Sequence, residues 1–153
     1  MRRIVIATAA LVLALTLYPP SPLSASASVT TKRDQDAIQG SWALVDQSFD
    51  GRAMPAEEVR ASRMTFTFSG DRAAGAIGEH ESAATFRLDE TRSPREIRMT
   101  ATDGDQKGRT VWGIYRLSGD DLVLAFPDHP GQAPPADMKA APGWTVMRFN
   151  RSK

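Results

Sequence analysis

The chain predicts an all-β fold: a single antiparallel eight-stranded up-and-down barrel with a short N-terminal helix. Three observations point there. Short segments of alternating apolar and polar residues recur from Trp42 to Asn150 at the spacing of an all-β barrel. Gly-Asp and Asp-Gly turn signals punctuate them, as at Asp50-Gly51, Gly70-Asp71 and Gly119-Asp120. The first such segment opens with Gly40-Ser41-Trp42, and the last carries Arg148 and Arg151.

The first 27 residues read as a leader rather than as part of the fold. Arg2 and Arg3 form a positive start, Ile4 to Leu17 is apolar but for threonines, and Ala25-Ser26-Ala27 fits an A-x-A cleavage site. That apolar run is shorter than the roughly 20 residues of a membrane-spanning helix. The expectation is therefore an exported protein, periplasmic or secreted, cleaved after Ala27 and without stable membrane insertion afterwards. Loss of Arg2 and Arg3 lowers the 19 basic residues to 17 against 18 acidic ones, a net charge of −1 with neutral histidines. Such balance, without a basic run, argues against nucleic acid as a partner. With no cysteine, stability has to come from the core alone, for which a domain of about 120 residues is large enough.

Residues 28–35 read as a flexible stub, and the barrel domain as 36–153. Asp36 to Gln39 fits one helical turn stopped by Gly40. Trp42 and Leu44 share a face of the first strand, which fades near Gln47. Pro55 to Val59 reads as a short helix, with proline at its start and Glu57 and Glu58 in its first turn. Met64, Phe66 and Phe68 alternate with threonines. Arg72 to Ile77 is a thin strand of small residues, and Gly75 and Gly78 suggest a bend or bulge there. Ala84, Phe86 and Leu88 form the next inward row, followed by Ile97 and Met99. Arg109 to Leu117 places Val111, Gly113, Tyr115 and Leu117 on one face, with Trp112 and Ile114 on the other. A tight hairpin leads into Asp121 to Phe126. Pro127 to Pro142 is long and proline-rich, a composition and length typical of a lid or binding loop. Trp144 to Asn150 is the last strand.

The stretches Ile38 to Trp42, Asp50 to Glu58, Leu88 to Thr91 with Pro94 to Ile97, and Gly113 to Leu122 occur in an order that resembles a family of uncharacterised exported proteins abundant in planctomycete genomes, with a lipocalin-like domain. The resemblance spans residues 36 to 151. It implies a lipocalin-like barrel and no established activity. In the family the long loop usually carries a basic residue, a proline and an aromatic, where this chain has Ala133-Pro134-Pro135-Ala136.

In a closed barrel the first and last strands are neighbours, so Arg148 or Arg151 is placed to lie over the Trp42 ring and seal one end. Phe66, Phe68, Phe86, Tyr115 and Phe126 are the expected interior, either a packed core or the wall of a site for a small apolar ligand. Trp112 and Trp144 fall at the rim or outside. Glu79-His80-Glu81 reads as a solvated hairpin tip rather than a metal site, since on a strand the histidine faces away from the glutamates. No catalytic set, metal site or cofactor motif emerges. Without cysteine there is no thiol nucleophile, and no G-x-S-x-G or phosphate-binding glycine loop occurs. Two readings of function stand: a non-enzymatic barrel that binds a small apolar molecule, or a sealed barrel serving as an interaction module of the cell envelope.

Overall fold

The structure, a computed structural model, describes residues 33–129 and 131–153. The expected leader, and residues 28–32 of the expected stub, lie outside the described residues. A one-turn helix α1 (Asp34–Ala37) precedes β1 (Gly40–Phe49), which turns at Gly51 into the two-residue β2 (Arg52–Ala53). Helix α2 (Ala56–Ser62) follows, then β3 (Thr65–Ser69), β4 (Arg72–Ile77), β5 (His80–Asp89), β6 (Glu96–Ala101), β7 (Thr110–Ser118), β8 (Asp121–Pro127) and β9 (Trp144–Arg151).

From β3 to β9 each strand pairs antiparallel with the next, and β1 pairs with both β3 and β9. This closes eight strands into an up-and-down barrel, with β2 as an appendage of β1. Closure leaves no barrel strand with an unpaired edge along its whole length. β1 manages two partners because it is long and kinked: its first half, Gly40 to Ala43, lies against Phe68 to Thr65, while β9 runs along it to Phe49. A bulge between Leu44 and Asp46 shifts the register with β9, bending the strand as closure requires.

Period two divides each strand between lumen and solvent. The inward residues do not fill the lumen evenly. Towards one end stand Trp42, Phe68, Phe86, Ile97, Tyr115, Leu122, Leu124 and Phe149, all buried, with Ile38 beneath them. Phe68 packs edge-on against Phe86 at 4.9 Å between ring centres, and Phe66 against Phe149 at 5.6 Å. Towards the other end several inward positions of β4 to β6 are small: Gly75, Ser82, Ala84 and Ala101. Small residues there leave the lumen open.

Both helices depart slightly from the sequence expectation. α1 begins at Asp34, two residues earlier than expected, so Asp34 and Gln35 belong to the folded body rather than to a flexible stub. The reason is tertiary: the Asp34 backbone N–H donates to Glu90, and Gln35 donates to the Gly70 carbonyl. α2 runs on to Ser62, with Pro55 at its N-cap, and ends where Arg63 adopts a left-handed φ of 48°.

The proline-rich segment after β8 is tied at its base, where the Asp128 N–H donates to the Gly143 carbonyl. Ile114, Val123 and Ala125 face outward yet are buried, as is Pro135. The segment thus lies as a strap on the outside of β7 and β8, its first residues, up to Pro134, bordering the cavity and its last, Ala141 to Gly143, set against Asp50 and Gly51 after β1.

Candidate functional site: a sealed floor and an open cup

The floor is built around Trp42. Its ring is fully buried and its Nε1 donates to the Ile38 carbonyl at 2.7 Å. The Arg151 guanidinium lies over the ring, 4.2 Å from its centre. Arg151 also donates to the carbonyls of Ala37 (2.7 Å) and Gln39 (2.6 Å), and through Nε to Asp120 (2.9 Å). Those two carbonyls belong to the end of α1 and the residues that follow it, acceptors that a one-turn helix cannot satisfy itself. Gly40 must be glycine, since its φ is +107° and a Cβ would stand 3.2 Å from an Arg151 nitrogen. Of the two arginines expected at this position, Arg151 occupies it. Arg148 projects from the outer face, where its Nε donates to Asp121 at 2.6 Å, and that bond raises its pKa. The two are three residues apart on one strand, so period two sends them to opposite faces.

Tyr115 bolts the same end. Its hydroxyl donates to Asp34 Oδ2 at 2.7 Å, and Arg95 donates to the same oxygen at 2.6 Å. Burial, then the bond to Asp34, push the phenol far above its ordinary range. A raised folded-state pKa means the neutral form is favoured in the native protein. The contribution is complete below the unfolded tyrosine value of about 10 and is lost as pH rises beyond it. Alkaline titration should therefore show no phenolate absorbance from Tyr115 until the fold itself melts, with a Tyr115→Phe variant as the blank. A Tyr115 signal growing near pH 10 while circular dichroism stays native would disprove the bolt.

Above this floor lies a cavity of about 860 Å³ that opens at the barrel mouth. Met64, Phe66, Met99, Phe126 and Met147 give it a soft apolar wall, and Ser82, Ala84 and Ala101 supply the space. Two of its aromatics rest on glycines of a neighbouring strand. A Cβ on Gly75 would meet the Phe66 ring at 3.4 Å, and one on Gly113 would collide with the Phe126 ring and the Ala125 carbonyl. Both rings thus lie flat against the wall instead of crossing the lumen.

The cavity mouth is rimmed by Gln106 and Arg109 from the β6–β7 loop and by Asp128, His129 and Gln132 after β8. Phe49, Ile77 and Val111, at inward positions by register, stay exposed where the mouth leaves them uncovered. Trp112 borders the cavity from outside with Arg98 stacked 3.7 Å from its ring centre, and Trp144, also on the outer face, is half-buried.

Of the five aromatics expected in a ligand site, Phe66 and Phe126 line the cavity. Phe68, Phe86 and Tyr115 lie below it, in the filled half. Met64, Met99 and Met147 are the lining residues that sequence reasoning did not single out as a group. The run of small inward residues beside them was the available signal. Glu79, His80 and Glu81 form an exposed hairpin tip.

No protein-family model and no curated protein matches this chain. Among solved structures it is similar to a DUF4847 family protein from Bacteroides vulgatus ATCC 8482, at 15% identity and a TM-score of 0.47, over 78% of this chain and 97% of that one. A likeness this distant carries no argument about function, and the resemblance to planctomycete exported proteins gains no support from it.

Proposed function

We propose that the protein is an exported, non-enzymatic barrel that holds a small apolar molecule in its open half. The observation that carries this reading is the cavity itself. Its volume of about 860 Å³ falls within the roughly 300–1,000 Å³ of sites that enclose drug-sized ligands. Its wall of methionine and phenylalanine suits an apolar body, and unbranched methionine side chains adapt to more than one shape. A barrel used only as a sealed structural unit would gain stability from filling this space, because each buried methylene contributes about 0.8 kcal/mol. Export rests on the leader pattern of residues 1–27, and the absence of chemistry on the sequence.

The test is a fluorescence titration with N-phenyl-1-naphthylamine, a neutral apolar probe that brightens away from water. Saturable binding of one probe per protein is expected, with competition by dodecanol. A flat titration, repeated with several neutral probes, would remove the reading.

A further inference from the structure

The mouth of the cup carries a cation that no carboxylate pairs with among the described residues. Arg109 borders the cavity and is exposed. Its guanidinium donates to the neutral Gln106 side chain. The acidic residue of the same rim, Asp128, is tied to β9. One of its oxygens accepts the Thr145 hydroxyl, and the other is shut off from solvent and has no partner. Asp103, on the same loop as Arg109, is engaged with the Ala83 backbone N–H. Gln106 and Gln132 add carboxamide donors at the mouth.

An entering head group therefore meets a guanidinium bonded only to a neutral carboxamide, and amide N–H groups, while the acid of the rim is engaged by the Thr145 hydroxyl. Below them the wall is apolar down to the floor. We infer that the cup takes an anionic amphiphile, its chain in the lumen among Met64, Phe66, Met99 and Met147, and its carboxylate or phosphate head at Arg109. This rests on the cup being a binding site and adds the charge of its occupant. Arginine suits either head, since its planar fork offers two parallel donors to both.

The experiment displaces bound N-phenyl-1-naphthylamine with four C12 compounds: dodecanoate, dodecyl phosphate, dodecanol and dodecylamine. Both anions are expected to compete at least tenfold better than the alcohol and the amine, and whichever of the two is stronger identifies the head. Arg109→Gln should erase that advantage, each competitor being scaled to the variant's own affinity for the probe. Lys107→Gln, which removes a nearby exposed cation that does not border the cavity, should preserve it. Equal competition by all four compounds, or an anion advantage that survives Arg109→Gln or falls equally with Lys107→Gln, would overturn the inference while the cup stands. Failure of the neutral probe to bind at all would overturn the cup, and this inference with it.

Discussion

Trp42→Ala is expected to cost about 3–5 kcal/mol, the usual range for emptying a large aromatic site in a core. That is a large fraction of the 5–15 kcal/mol by which domains of this kind are stable. The loss has three sources. The fully buried ring leaves a cavity at the floor, the Ile38 carbonyl loses its donor, and Arg151 loses the ring beneath it. Trp42→Phe separates them, because it keeps most of the packing but leaves the carbonyl unpaired, at about 1–3 kcal/mol. Urea unfolding of the three proteins measures the series. If Trp42→Ala shifts stability by less than 1 kcal/mol, the sealed end is not where the barrel is held together.

Ala84→Phe is the corresponding experiment at the open end, and its effect should fall on binding. Ala84 faces the lumen from β5, directly across from Ala101 on β6, and both border the cavity. A phenyl group there occupies space that no side chain now fills, so the core need not be pushed apart. Burying the ring offsets its lost rotamer freedom, and stability should stay within about 1 kcal/mol of the parent. Affinity for N-phenyl-1-naphthylamine should drop at least tenfold. Parallel fluorescence titration and urea unfolding read the two quantities. Undiminished probe binding in a stable Ala84→Phe protein would place the probe elsewhere, for example on the outer face around Trp112.

The two substitutions address the two halves of one lumen, and the halves differ in how far they could be read from the chain. Alternation in Met64 to Phe68, Ala84 to Leu88 and Val111 to Leu117 was enough to assign faces, because side-chain direction in a strand is a local property. The turn glycines were legible for the same reason. Which arginine covers Trp42 was not, since that depends on the pairing of residues over 100 positions apart. The observed register sets Trp42 opposite Arg151 and sends Arg148 outward, and a slip of one residue would reverse their faces. Depth along the barrel axis was equally hidden. Phe66 and Phe68 are neighbours on one face of β3, yet one borders the cup and the other is sealed beneath it.

The start of α1 shows the same limit. Its own residues favour no boundary, and the helix is pinned by Tyr115, Arg95 and Glu90, which lie 56 to 81 residues away. The proline-rich segment was expected to act as a lid or binding loop by composition and length. In the fold its first residues border the mouth, its last lie against Asp50 and Gly51, and the middle straps the outer face of β7 and β8.

What the chain determined by itself was the strand count, the inward faces and a tryptophan–arginine closure, because these follow from period-two patterning and turn chemistry. What the tertiary structure alone decided was which interior residues meet across the lumen, and hence that one end is packed and the other open. Packing depends on side-chain volume summed over strands that are distant in sequence. Ser82, Ala84 and Ala101, on two neighbouring strands, leave a cavity only because closure sets them against Phe126 and Met147 of the distant β8 and β9.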